Sequence, residues 1–310
     1  MALDPQARAV LDQMTAMGGP PINQMSVNDA RQQAANMTSM QGVPEEVAKV
    51  EDRALPGPAG DIRVRIYTPA CAGPLPVLVY FHGGGWVIGD IESNDPVCRT
   101  LSNAAGCIVM SVDYRLAPEH PFPAAVEDAY YAALWAASNA SAVGGDPCRV
   151  AVGGDSAGGN LAAVVAHLAR DRGAPALKFQ LLIYPVTDAA CDTPSYIENA
   201  DGYFLTRDAM HWFWHHYLRS DADRSNPLAS PLRAKDFTAL PPALVITAEH
   251  DPLRDEGEQY AGRLQDAGVP VQLARYNGMI HGFFMMGAVI HQGRKAVQQT
   301  AAALREAFAS

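Results

Sequence analysis

The segment Val150-Ala-Val-Gly-Gly-Asp-Ser-Ala-Gly-Gly-Asn160 leaves a folding chain few choices. A short apolar run enters Gly153-Gly154, a serine stands at 156, and glycines return at 158 and 159. Beyond them Leu161, Val164, Val165 and Leu168 recur at helical spacing. The pattern predicts a strand, a sharp turn carrying Ser156, and then a helix, the layout of a G-x-S-x-G elbow. A serine pushed out on so tight a turn draws backbone against positions 154 and 158, where a side chain would clash. Alone, the same letters also fit a glycine-rich turn that binds nothing. The rest of the chain decides.

Pro76-Val-Leu-Val-Tyr-Phe81 is an unbroken apolar run, the mark of a central strand covered on both faces. Further strands follow at Cys107–Val112, Arg149–Val152, Phe179–Tyr184, Ala243–Ala248 and Val271–Tyr276. Helical stretches separate most of them, at 96–105, 122–139, 159–172 and 254–267, with a last helix at 290–308. Asp95-Pro96 reads as a helix opening with the aspartate as N-cap. Near Val47 the pattern changes: Ile62, Val64 and Ile66 alternate with arginines after a Pro/Gly turn, which predicts an edge hairpin. This alternation makes an α/β chain with a mostly parallel sheet and helices on both faces.

Two intervals lack strands. Residues 1–45 form a helical N-terminal arm, with helices over Leu3–Met14 and Val27–Met37 broken by Gly18-Gly-Pro-Pro21. Residues 188–225 carry an aromatic-rich helix within 201–218, in a position where a lid would sit. The arm and this insertion are expected to pair as a cap over a core made of 46–187 and 226–310.

The balance of 48% hydrophobic and 18% charged residues suits a large buried core. A formal net charge of -10, with no basic patch, argues against nucleic acid as a partner. No apolar run approaches the roughly 20 residues of a membrane span, and the start lacks the basic and apolar regions of a signal peptide. Five scattered cysteines without paired spacing suit reduced thiols, so a cytoplasmic protein is expected.

Open α/β sheets bind ligands beyond the carboxyl ends of their strands. Three features besides the elbow fall there: His82-Gly-Gly-Gly85, Glu249-His-Asp-Pro-Leu253, and His281 within Met279–Phe283. Acyl transfer by serine needs a base, a carboxylate to hold that base, and donors for the oxyanion. Ser156, Asp251 and His281 supply the nucleophile, the carboxylate and the base, in the chain order Ser, Asp, His, with Glu249 and Asp255 as rival acids.

His82-Gly-Gly-Gly-Trp86, Asp113-Tyr-Arg-Leu-Ala-Pro-Glu119, Gly153–Asn160, Asp251-Pro-Leu-Arg-Asp255 and His281-Gly-Phe283 together resemble the bacterial hormone-sensitive-lipase-like carboxylesterases, along the whole chain. The resemblance implies an α/β-hydrolase fold with an eight-stranded, mostly parallel sheet, one antiparallel edge strand and a helical cap. It implies hydrolysis of short- to medium-chain acyl esters through an acyl-enzyme, with no cofactor and no metal. It carries the triad onto Ser156, Asp251 and His281, and the oxyanion hole onto the amides of Gly83, Gly84 and Ala157.

Trp86, Tyr184, Phe204, Leu205, Met210, Trp212, Phe213, Ile280 and Phe283 are candidates for an apolar substrate pocket, and equally for cap core. His82 and Asp155 are expected to brace the site, and Asp113, Arg115 and Glu119 to form buried ion pairs behind the glycine loop. His211 and His215 stand at metal-ligating spacing but no carboxylate or cysteine completes the set, so a packed or solvated helix is expected. An amidase with the same triad, or a small-molecule receptor on the same fold, stays open as an alternative; receptors of this kind lack the histidine that His281 supplies here. The last strand should lie at the sheet edge, which suits a monomer or a homodimer.

Overall fold

The computed structural model describes residues 2–309. Its centre is one sheet of β1 (Lys49–Gly57), β2 (Gly60–Thr68), β3 (Leu75–Phe81), β4 (Ile108–Asp113), β5 (Gly145–Asp155), β6 (Phe179–Ile183), β7 (Ala243–His250) and β8 (Val271–Ile280). The spatial order is β1-β2-β4-β3-β5-β6-β7-β8. From β4 to β8 all pairings are parallel, whereas β2 runs antiparallel to both β1 and β4. The reversed strand is therefore one place in from the edge, not at it as expected. The tight turn after Gly57 folds β1 back along the outside of β2 and takes the edge position itself.

Helices α1 (Pro5–Met17), α2 (Val27–Asn36), α3 (Asp95–Ala105), α4 (Ala124–Asn139), α5 (Ala157–Arg172), α6 (Pro194–Glu198), α7 (Arg207–Tyr217), α8 (Arg254–Asp266) and α9 (His291–Ala309) complete the fold. Strand alternation sorts the core into two layers. Val150 and Val152 of β5 pack with α4 and α5, while Ala151 between them packs with α3 and α9. Every residue of β3 is buried, as its unbroken apolar run requires. Helix α3 opens one residue earlier than expected, with Asn94 as N-cap. The Asp95 carboxylate is instead taken by Arg99 and the Tyr67 hydroxyl.

The arm does not act as one block. Helix α1 lies against β8, anchored by the Asp4 N–H on the Gly278 carbonyl at 3.0 Å. A short turn at Ile22–Gln24 packs on α7, and α2 reaches the loop after β3. His211 and His215 point into solvent from α7. Among the described residues no cluster of three or more His, Cys, Asp or Glu is arranged to hold a metal, and no helix is long and apolar enough to cross a membrane. All five cysteines are unpaired.

Candidate active site

Ser156 stands between the end of β5 and the first turn of α5, with φ 55° and ψ −118°. That backbone is strained for a residue bearing a Cβ. Three hydrogen bonds hold it: the Ser156 N–H donates to Ile183 O at 2.8 Å, and its carbonyl accepts from Asn160 N at 3.0 Å and Val186 N at 3.2 Å. A Cβ at either Gly154 or Gly158 would collide with the Phe81 carbonyl oxygen, because β3 and α5 close tightly around the turn. The glycines of the elbow are thus set by the neighbouring strand.

The ends of β7 and β8 bring two more side chains to the serine. His281 Nε2 lies 3.0 Å from Ser156 Oγ, and His281 Nδ1 lies 2.7 Å from Asp251 Oδ2. Asp251 is wholly buried, and its other oxygen accepts the Leu253 N–H at 2.9 Å. A carboxylate fixed on Nδ1 selects the tautomer in which Nδ1 carries the hydrogen and Nε2 can accept one from the serine. The rival acids are engaged elsewhere. Glu249 accepts the Gly278 N–H at 2.6 Å, and Asp255 accepts from Ser195 N and Arg254 Nε. The Tyr184 ring packs on the imidazole with centroids 4.4 Å apart.

The glycine loop after β3 corrects one expectation. The Gly83 N–H is not directed at the serine; it donates to Asp155 Oδ1 at 2.9 Å. The reason lies in strand pairing, since Phe81 sits opposite Gly154, β3 and β5 end side by side, and the chain just past β3 brings Gly83 against Asp155. Tyr80 also donates its hydroxyl to Asp155 Oδ1, at 2.8 Å. Burial pushes the Asp155 carboxyl up, against the pull of the Tyr80 and Gly83 donors. Beyond Gly83 the chain turns with φ 111° at Gly84 and 56° at Gly85. The Ala157 amide opens α5, so it has no carbonyl four residues back within the helix.

His82 braces this loop: its Nδ1 lies 2.7 Å from the Gly83 carbonyl, and its ring stacks on Tyr114 at 4.3 Å. Burial pushes its pKa down. Asp113, Arg115 and Glu119, expected in buried ion pairs, do pair, though not with one another, and Glu119 is half-exposed. Arg115 pairs with Asp128 on α4 at 2.8 Å, Glu119 with Arg31 on α2 at 2.7 Å, and Asp113 comes no nearer than 3.8 Å to Arg63. Each charge turns toward a different flanking element.

The pocket candidates divide. Phe213 lies against Gly85, Phe204 against Gly282 beside His281, and Tyr184 against His281 itself. Trp86, Ile280 and Phe283 are fully buried and offer no surface to a ligand. The reason for Trp86 is a parallel stack on Tyr217 at 4.1 Å, closed by Trp214. Ile280 and Phe283 belong to the layer with α9, and Met210 and Leu205 are also buried. Trp212 is half-buried on the flank of α7. The tie from Asp155 to Gly83 and the contact of Arg31 with this region were not foreseen. The first depends on a strand register that the sequence does not show, and nothing in the spacing of α2 points to the second.

The α/β-hydrolase fold family matches residues 78–285. The carboxylic ester hydrolase LipN of Mycobacterium tuberculosis is 46% identical over 91% of this chain and 77% of its own length. The carboxylesterase NlhH of the same organism is 42% identical over 99% of this chain and 96% of its own. Among solved structures, a hyperthermophilic esterase from Pyrobaculum calidifontis superposes with a TM-score of 0.94 at 48% identity, covering 99% of each chain. An ester hydrolase from the metagenome of Lake Arreo gives 0.96 at 46% identity, covering 99% of this chain and all of its own.

Proposed function

The chain belongs to the α/β-hydrolase fold family, in its hormone-sensitive-lipase-like branch of carboxylesterases, and on that premise we propose a serine mechanism centred on Ser156. The protein is a carboxylic ester hydrolase. The observation that carries the mechanism is the continuous relay Ser156 Oγ, His281, Asp251, at 3.0 and 2.7 Å.

Ser156 Oγ attacks the ester carbonyl carbon as its proton passes to His281 Nε2. Asp251 holds the imidazole by Nδ1 and stabilises the imidazolium that forms. The tetrahedral oxyanion takes hydrogen bonds from the Ala157 amide and from Gly84, with Gly85 in the place first assigned to Gly83. Each such donor is worth on the order of 10²–10³ in rate. Collapse breaks the bond to the leaving alkoxide oxygen, which takes the proton from His281. Water, deprotonated by His281, then attacks the acyl-enzyme; the same amides hold the second oxyanion, and collapse releases the acid and returns the proton to Ser156.

We assign short- to medium-chain acyl esters as substrates, bound beside the half-buried Phe204 next to His281, under a cap of helix α2 of the arm and residues 188–225. We place the protein in the cytoplasm, as a monomer or homodimer. The test is a series of p-nitrophenyl esters from acetate to palmitate, measured for wild type and Ser156→Ala. A rate that peaks at short or middle chains and falls on the order of 10⁶-fold in the variant is expected. An alanine variant that still turns over, or a folded wild type inert to every ester, overturns the reading.

A further inference from the structure

The backbone that follows the glycine loop is strained and is held by residues beyond that loop. Trp86 has φ 61°, a region that residues with a Cβ rarely occupy unless their surroundings over-determine them. Its ring is fixed by Tyr217 and Trp214 of the 188–225 segment, and its carbonyl by the Ala117 N–H at 2.9 Å. The next residues tie back to the glycines: the amides of Val87 and Ile88 both donate to the Gly84 carbonyl, at 3.1 and 2.9 Å.

One side chain from the N-terminal arm closes this arrangement. Arg31 of α2 donates from Nε to Val87 O at 2.9 Å and from a terminal nitrogen to Ala117 O at 3.1 Å. It thus grips both backbone segments that fix Trp86. Its remaining donors form a two-pronged pair with the half-exposed Glu119 carboxylate, at 2.8 and 2.7 Å. Only a guanidinium can serve two carbonyls and a carboxylate from one head group; a lysine ammonium in the same place acts as a point charge.

We propose that Arg31 is a positioning residue for the oxyanion hole, a clasp from the cap that holds residues 84–88 in the conformation that aims the Gly84 and Gly85 amides. The inference rests on the serine mechanism above and deepens it. The hole is then complete only when α2 is seated, so the arm governs the chemical step as well as access. A displacement of about an ångström at an oxyanion donor costs on the order of 10²-fold in rate, and Arg31 acts on that displacement without touching substrate.

The experiment compares Arg31→Met, Arg31→Lys and Glu119→Gln with wild type and Ser156→Ala, well below their melting temperatures. Arg31→Met should lower kcat by roughly 10- to 100-fold with KM within about twofold, the split expected when only transition-state binding is lost. Its inactivation by a p-nitrophenyl phosphonate, whose phosphoryl oxygen enters the same hole, should slow by the same factor. Arg31→Lys, a second route should the methionine variant not fold, should lie between. Glu119→Gln keeps both carbonyl contacts and should hold kcat within about twofold.

A cavity of about 400 Å³, lined by Asp90, Asp113 and His120, opens beside Arg31. It gives a free guanidinium ion a path, so millimolar guanidinium should restore part of the lost kcat in Arg31→Met. Unchanged kcat in the arginine variants overturns the clasp. So does a loss in Glu119→Gln as large as in Arg31→Met, which would make the ion pair the agent. A Ser156→Ala variant as active as wild type would instead bring down the underlying mechanism, and the two failures are told apart in one assay.

Discussion

At the scale of single residues, Asp251 and Asp155 show how two buried aspartates differ by the partners they meet. Asp251 meets the imidazole and one amide, which makes it the acid of the relay. Asp155 meets a tyrosine hydroxyl and the Gly83 amide, and spends itself on holding the glycine loop. Asp251→Asn should therefore cut kcat by about 10⁴, because an amide can stabilise the wrong tautomer. Glu249→Gln should stay within about tenfold, since that carboxylate serves Gly278; stopped-flow hydrolysis of the same ester reads both, and the reverse ranking would move the acid. The triad residues were legible as letters because each follows a strand. The Gly83 assignment was not, because whether an amide is spent depends on a residue 72 positions away that only register brings near.

Whole elements were read well where burial imposes one period. The all-apolar β3 and the helix α5 lie within a few residues of their expected limits. The sequence underran β8, whose pattern breaks at Asn277-Gly278, although the strand continues to Ile280 and so delivers His281 directly to the site. Helix α5 also carries a titrating group with a readable consequence. His167 is buried against Phe237 and Tyr260, and burial lowers its pKa from 6.5 to about 4. The folded state then binds fewer protons than the unfolded chain between those values. Stability is full above 6.5 and falls as pH drops toward 4, by about 2 kcal/mol at pH 5. Urea midpoints at pH 7 and pH 5 should show this loss in wild type and a smaller one in His167→Asn. Equal losses in the two proteins would show that the acid sensitivity lies elsewhere.

The whole molecule places side chains 125 residues apart within hydrogen-bond reach by ending parallel strands at one edge of a sheet. Chain order revealed that much. It did not reveal that the arm divides, with α1 on β8 and α2 on the glycine loop, since both helices read only as amphipathic. The same topology leaves two sheet margins, and they differ. Strand β1 is lined with Lys49, Glu51, Asp52 and Arg53, charges that discourage pairing with another chain. Strand β8 presents Leu273 at 42% exposure, and the start of α1 is bonded to it at the far end, at Gly278. Two such margins can pair antiparallel about a two-fold axis, burying the same surface on each chain. Sedimentation velocity at micromolar concentration should then find a dimer, and Leu273→Lys should return it to a monomer. Rate per chain should hold within about twofold, because the His281 end of β8 is remote from residue 273. A wild type that sediments as a monomer would mean that the exposed leucine alone cannot offset the cost of association.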